Sequence, residues 1–300
     1  MYSYIAKEYP DTFFPMTNEL TKHIFHLSEN LQIENYDIPD EYIPLSKPQA
    51  HRAKIHLKKL LHILSQTNTG RMILSATSPN THIMFAYSQK NEQFLGEAFC
   101  NENLIVLNTK DKNDIPIILS TLAHELTHLI HESLQNNILQ KKANTLNLYD
   151  QFCLRFLDEA GADIFAYKVR REYLKKTFQP ISVKYTMRDK MYWYNHYSDL
   201  LWDLSDYSKP SQQLTNKHSD EYYKILNAYY EIHPELNWPD LHRHLAVGYH
   251  KLIRPIKSDL KKRQQEPTGE KLVNRYYPLV RRLRVNMCYF YDKNKLRNRS

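Results

Sequence analysis

Apolar residues recur at helical spacing near the middle of the chain. They fall at intervals of three and four, the period of one buried face of an α-helix, at Ile117, Ile118, Leu122, Leu126, Leu129 and Ile130. Asn113 and Asp114 are residue types that cap helix N-termini, and Pro116 suits a first turn. The pattern therefore predicts a helix over about 114–134.

Two other patterns precede this helix. Residues 47–66 have the periodicity of an amphipathic helix, which would place leucines on one face and Arg or Lys on the other. Residues 72–108 contain short β-type runs separated by Pro and Asn, namely MILSAT, HIMFAYS, EQFLGEAF and NLIVLN. These runs predict a small sheet. Residues 1–46 predict irregular structure with one short helix.

The rest of the chain is helical by periodicity. A helix is predicted over about 150–176, and others follow at about 183–206, 218–232, 240–252 and 272–291. The predicted fold class is therefore α+β, mainly helical. We expect one domain over 1–250, with a helical segment, 251–300, packed on it.

The composition bears on the cellular compartment and reveals a basic C-terminal segment. Three cysteines, Cys100, Cys153 and Cys288, are odd in number and unclustered, which favours a reducing environment. The N-terminus has no Sec-type signal, and no run of 18 apolar residues exists, so neither such export nor a membrane span is expected. Residues 251–300 hold 15 Lys and Arg against four acids.

Two interpretations of this basic segment are open. It could engage an acidic protein, a nucleic acid or an anionic lipid surface. Apolar residues run through it at helical spacing, however, so a packed helix with a solvated basic face is the favoured interpretation.

The chemistry centres on the predicted helix over 114–134. Its sequence HELTH contains His124, Glu125 and His128 in the arrangement HExxH. A helix places residues four apart on one face, where two imidazole nitrogens can meet one metal ion. Glu125 then lies beside that face, where it can deprotonate a water whose pKa a zinc ion has lowered.

A second acidic pair follows on the predicted helix over 150–176. Catalytic zinc usually has three protein ligands, and the sequence FLDEAGADIFAY places Glu159 and Asp163 one turn apart. Two such acids repel unless a cation or imidazole lies opposite. We predict Glu159 as the third ligand, with Asp163 accepting a hydrogen bond from the ring of His124. The alternative interpretation of Glu159 and Asp163 is an ordinary solvated acidic face of the helix. If Glu159 is not the third ligand, the candidates to replace it are His131, Glu132 and Asp158.

HELTH followed by EAGAD resembles the gluzincin metallopeptidases, the thermolysin-like group, over about residues 115–167. The form ExxAD is closest to the membrane-bound prenyl-protein endopeptidases and their soluble relatives. The resemblance implies a zincin-like fold with a small antiparallel sheet, zinc, peptide hydrolysis, Glu125 as general base and Glu159 as ligand. The metzincin pattern fails, because His131 stands where its glycine belongs.

The resemblance also implies an oxyanion donor and a substrate-binding edge strand. Tyr149 is the first choice of donor because it lies ten residues before Glu159, and the alternatives are His242, His244 and His250. In the zincin plan an edge strand pairs with the extended substrate. Residues 96–99 or 103–108 could form it, or could equally be an ordinary internal strand.

Two classes of function result. The first is a zinc endopeptidase acting on a protein substrate, either cytoplasmic or delivered as a bacterial toxin or effector into a host cytosol by a route independent of a signal peptide. The second is a helical protein that binds nucleic acid or lipid and carries a vestigial zinc site. Glu125 disfavours the second, because a purely structural site has no need of a general base.

Overall fold

A computed structural model describes residues 15–33, 36, 38–40, 42–88, 95–109, 114–134, 146, 148–178, 219–220, 222–224 and 227. The chain divides into two compact units. One comprises Met1–Ile130 and Phe165–Tyr185, and the other comprises His131–Ile164 and Thr186–Ser300. The predicted domain boundary at residue 250 and the predicted helices over 183–206, 240–252 and 272–291 lie outside the described residues.

Three helices begin the described part of the first unit: α1 (Asn18–Glu29), α2 (Lys47–Ser65) and α3 (Asn68–Ala76). The short helix predicted within 1–46 is α1, and the amphipathic helix predicted over 47–66 is α2. Ser46 and Gln49 form a capping box at the start of α2, and Thr17 caps α1 through its side chain. Side-chain capping thus fixes the first turn of both helices.

The run MILSAT was predicted to be a strand, and this prediction is wrong because most of the run lies in α3. Thr67 caps that helix by accepting a hydrogen bond from the Gly70 N–H at 3.0 Å. The carboxylate of Glu172 accepts from the Thr69 N–H at 3.1 Å, which suits a negative charge at a helix N-terminus. A short apolar run is compatible with either a strand or a buried helix, and here capping and packing select the helix.

Four strands form a small sheet in the first unit. They are β1 (Tyr42–Ile43), β2 (His82–Ser88), β3 (Gly96–Phe99) and β4 (Leu104–Asn108), in the spatial order β1-β2-β4-β3. The β1/β2 and β3/β4 pairs are antiparallel, whereas β2 and β4 are parallel. The predicted antiparallel sheet is therefore a mixed sheet, and the prediction is wrong for its central pair.

The parallel pair follows from the path of the chain. β3 and β4 form a hairpin whose connection includes Asn103 at φ +50°, a left-handed conformation that asparagine tolerates. β3 lies on the far side of β4 and not between β2 and β4, so β2 and β4, which run in the same direction, are neighbours. All five residues of β4 are buried, as expected of a central strand. Of the two candidate edge strands, residues 96–99 lie at an edge of the sheet that the described strands form, and residues 103–108 do not.

The two faces of the sheet have different coverings. Phe85, Leu107 and Gly96 are successive partners across β2, β4 and β3, so their Cα positions share one face. The ring of His56 in α2 packs against Phe85 on that face, with ring centroids 5.7 Å apart. The opposite face carries a compact apolar cluster of Tyr42, Met84, Ala86, Leu104 and Val106.

Two long helices complete the description, α4 (Ile115–Leu134) and α5 (Leu148–Lys176). They confirm the helices predicted over about 114–134 and 150–176. The last turns of α5 return to the first unit, where Lys176 donates to the Gln66 carbonyl and Glu172 binds the first turn of α3. Among the described residues, no helix has the apolar length required to cross a membrane.

In the second unit, the first turn of α5 is hydrogen-bonded to the start of a short helical segment at Ser219. Asp150 is fully buried and accepts hydrogen bonds from the Ser219 N–H at 2.9 Å and the Ser219 hydroxyl at 2.7 Å. Ser219 in turn accepts from the Tyr222 N–H at 3.2 Å. Within the predicted helix over 218–232, the described residues 220, 222–224 and 227 are helical.

Candidate metal centre

The helix that carries HExxH begins at a well-defined cap. Asp114 accepts a hydrogen bond from the Ile117 N–H at 3.1 Å through its side chain, and its carbonyl accepts from the Ile118 N–H at 2.9 Å. Both predicted features of this terminus, the capping residue and the early Pro116, are therefore confirmed. The helix runs without interruption through His124 and His128, as the motif requires.

The two imidazoles converge on one point. Nε2 of His124 and Nε2 of His128 lie 2.9 Å apart, and the ring planes meet at 79°. A carboxylate oxygen of Glu125 and these two nitrogens all lie within 4.8 Å of one another. The three side chains thus form a group that could bind a metal ion, and the predicted helical juxtaposition is confirmed.

The donor set fits a transition metal. Two bonds of about 2.0–2.1 Å at a tetrahedral angle place their nitrogens about 3.3 Å apart. The observed separation is 2.9 Å, so a small rotation of either ring would admit an ion. Two imidazoles with a nearby carboxylate suit zinc and related metals, whereas Ca²⁺ and Mg²⁺ prefer oxygen ligands.

The group is largely buried. Glu125 is 3% exposed and His128 is 8% exposed, while His124 is half-buried. The helix around them is buried mainly through aliphatic residues, namely Ile118, Leu119, Leu122, Ala123, Leu126, Leu129 and Ile130. Ionisable side chains are seldom placed in such surroundings without a functional or ionic partner. The low polarity also strengthens any electrostatic interaction within the group.

The edge strand β3 passes directly beside Glu125. A Cβ atom added to Gly96 would lie 2.8 Å from Cγ2 of Thr121 and 3.3 Å from Cγ of Glu125. Only glycine permits this close approach without displacing α4. The sequence predicted an edge strand bordering the cleft, but it gave no sign that Gly96 fixes the distance between that strand and the HExxH helix.

The remaining predicted site residues are on α5 or beyond it. Tyr149, Glu159 and Asp163 all belong to α5, but the positions of their side chains lie outside the described part of the structure. The alternative oxyanion donors His242, His244 and His250 are also outside it. The roles of third ligand, histidine partner and oxyanion donor therefore stay predictions.

A second cluster of ionisable residues lies in the second unit. Nδ1 of His131, which is 1% exposed, contacts Oδ1 of Asp158 at 2.6 Å, a charge-assisted hydrogen bond when Asp158 is ionised. Burial raises the pKa of Glu132 above its ordinary value of 4.5, and the nearby charge of Asp158 raises it further. The three substitute ligands named from the sequence are thus neighbours, although their pairing left no signal in the sequence.

No protein-family model, curated protein or solved structure matches this chain.

Proposed function

We propose that the protein is a zinc-dependent endopeptidase. The observation that carries the proposal is the convergence of His124 Nε2 and His128 Nε2 beside the buried carboxylate of Glu125. Two imidazoles alone would suit a structural metal site. A carboxylate adjacent to them, on the same buried helix, is what hydrolysis requires in addition.

Each side chain has a separate task in this proposal. His124 and His128 hold the ion through Nε2, with Glu159 of α5 as the third ligand and Asp163 orienting the His124 ring. Zinc, when bound, supplies a Lewis acid that brings the pKa of a coordinated water near 7. Glu125 accepts the proton of the attacking water and delivers it to the leaving amine nitrogen. Tyr149 donates to the carbonyl oxygen as negative charge develops on it.

The position of β3 supports a peptide substrate. β3 is the last strand in the order β1-β2-β4-β3, and its first residue, Gly96, lies against the HExxH helix. An extended peptide that paired with the outer edge of β3 would be carried past Glu125. Backbone pairing of this kind binds many sequences, because the hydrogen bonds do not depend on side chains.

The fold and setting complete the proposal. We propose a zincin-like fold for the chain, a proposal supported by the small sheet whose strand β3 contacts the HExxH helix at Gly96. We propose a cytosolic place of action, reached either by synthesis there or by delivery as an effector protease. The basic segment over 251–300 is then a surface for an acidic partner or anionic surface, and not the main functional site.

The decisive experiment compares metal content with proteolysis. The purified protein should contain about one zinc per chain and should cut an unstructured protein such as casein, with loss of cutting on chelation. Glu125→Gln should keep the zinc and abolish cutting, because the base is lost and the ligands are retained. Glu29→Gln, at an exposed position on α1, is the matched control and should cut at the wild-type rate.

Two results would contradict the proposal. Cutting by Glu125→Gln at the wild-type rate would exclude this carboxylate as the base. A protein that binds zinc, fails to cut any of a broad set of peptides and binds RNA or anionic vesicles through residues 251–300 would favour the alternative, a binding protein with a vestigial zinc site.

A further inference from the structure

A separate cavity of about 280 Å³ opens on the first unit between α2 and the strand β2. Its wall from α2 includes Gln49, Arg52 and Ala53, and its wall from the sheet includes Phe85 and Tyr87. None of the residues assigned to the metal centre lines it. The volume is at the small end of ligand-binding cavities and suits a fragment of one or two residues.

The cavity lining offers a positive charge and several hydrogen-bond donors. Arg52 contributes a guanidinium that is always charged, and Thr109, immediately after β4, contributes a hydroxyl. Among the described residues that line the cavity, none is acidic. A cavity with a fixed positive charge and hydroxyl donors, without a carboxylate to neutralise them, favours an anion.

The hydroxyl of Tyr87 is oriented by a chain of hydrogen bonds that begins at the cap of α2. Oε1 of Gln49 accepts from the Ser46 N–H at 3.0 Å and from the Ser46 hydroxyl at 2.7 Å. This fixes the amide so that its Nε2 donates to the Tyr87 oxygen at 3.1 Å. Because that oxygen already accepts a hydrogen bond, the Tyr87 proton is directed elsewhere, and the hydroxyl can act as a donor to a ligand.

The rest of the lining is mainly apolar, with the imidazole of His56 as the exception. Leu45 and Ala53 contribute aliphatic surface, and the Phe85 ring is held by the ring of His56 at a centroid distance of 5.7 Å. A polyanion such as phosphate would find only one arginine and would gain nothing from this surface. A single negative charge attached to an apolar body matches both parts of the lining.

We propose that this cavity binds a carboxylate carried on a small apolar body, with Arg52 pairing with the carboxylate and Tyr87 and Thr109 donating to it. The source could be a free small acid or the C-terminal carboxylate of a peptide that ends in an apolar residue. The proposal is independent of the metal centre and of peptide hydrolysis, since no residue is shared between the two sites.

The test is ligand-observed NMR titration of the full chain with two probes, 3-phenylpropionate and N-acetylphenylalanine, each beside its uncharged amide. We expect both acids to bind with a Kd on the order of 1 mM, as ligands of this size do, and both amides to bind at least tenfold more weakly. Tighter binding of N-acetylphenylalanine would identify a peptide C-terminus as the source, and tighter binding of 3-phenylpropionate a free acid.

Variants locate the binding. Arg52→Gln should weaken binding of both acids about tenfold or more, and Thr109→Val should weaken it severalfold. Lys58→Gln is the matched control, because it removes an exposed positive charge from the same helix without altering the cavity lining. Equal binding of acids and amides, wild-type binding by Arg52→Gln, or tighter binding of inorganic phosphate than of either acid would overturn the proposal.

Discussion

The helix α4 carries two clusters of the same residue types with different chemistry. In the first unit, His124 and His128 direct two ring nitrogens at each other, 2.9 Å apart, with the carboxylate of Glu125 beside them. In the second unit, His131 directs a ring nitrogen at Asp158, 2.6 Å away. In the first cluster two imidazole nitrogens face each other and offer lone pairs that a cation can share, whereas in the second cluster Nδ1 of the imidazole is engaged by a carboxylate.

The state of the neighbouring carboxyl also differs. Glu125 lies next to two imidazoles. An imidazole that is protonated or bound to a metal ion stabilises the negative charge of the Glu125 carboxylate. Glu132 lies near the negative charge of Asp158 and is partly buried, so its pKa is raised and its neutral form is favoured. Histidine and glutamate on one helix therefore predict little by themselves. The chemistry of each of these side chains depends on the charged groups next to it in the folded structure.

The largest expected effect tests this contrast directly. His124→Asn and His128→Asn should reduce zinc from about one per chain to near zero after dialysis, because each removes one of three ligands. His131→Asn should leave zinc bound, since asparagine can still donate a hydrogen bond to Asp158. Metal analysis of the three variants measures the outcome. Loss of zinc only from His131→Asn would reverse the assignment of the two clusters.

Three acids of α5 give a graded series. Glu159→Ala should lower zinc occupancy strongly as the loss of a ligand, whereas Asp163→Asn should weaken zinc affinity or turnover about 10- to 100-fold by releasing a ligand histidine. Asp158→Asn, next to Glu159 but paired with His131, should change affinity little. A competition titration with a chromophoric chelator ranks them. Wild-type affinity in Asp163→Asn would mean that this acid is only solvated.

A smaller effect is expected at the contact between β3 and α4. Gly96→Ala should destabilise the protein by about 1–3 kcal/mol and slow proteolysis, because the new methyl group would overlap Thr121 and crowd Glu125. Adding Thr121→Ser, which removes Cγ2 and keeps the hydroxyl, should restore most of the loss. Urea unfolding and casein cleavage report the two effects. No rescue by the second substitution would indicate that Gly96 is needed for its backbone and not for space.

The smallest effect concerns Glu132. A carboxyl whose pKa is raised on folding binds protons more tightly in the folded state, so stability falls as pH rises above the ordinary value of 4.5 and through the raised pKa. Glu132→Gln removes this loss. It should raise the Tm by about 1–2 °C at pH 7 and leave it nearly unchanged at pH 4. An equal shift at both pH values would attribute the change to packing and not to protonation.

Local signals in the sequence were sufficient for most of the helices in the described part of the chain and for the first part of the site. The apolar periodicity of both helices, with the cap at Asp114 for the second, predicted the bounds of α2 and α4 within two residues. The approach of His124 to His128 followed as well, because residues four apart meet on any helix. All of these features depend on neighbours within one or two turns.

The errors and omissions involve distant partners. MILSAT is held in a helix partly by Glu172, about a hundred residues later in the chain. Whether β2 and β4 are neighbours depends on which side of β4 is taken by β3, and short apolar strands do not encode that choice. The contact of Gly96 with Glu125 and the pairing of His131 with Asp158 likewise join separate elements, so periodicity within either element could not reveal them.

The contact between Glu172 and Thr69 has a consequence for synthesis of the protein. A ribosome adds about 5–20 residues per second, so Glu172 is made on the order of 2–9 s after His128. During that interval the HExxH segment has been synthesised, while the first turn of α3 lacks the carboxylate that later binds it. The first unit can be completed only after the intervening residues 131–164 of the second unit have been made. Assembly of the two units is therefore interleaved in time, and the peptidase proposed here would mature late in its own translation.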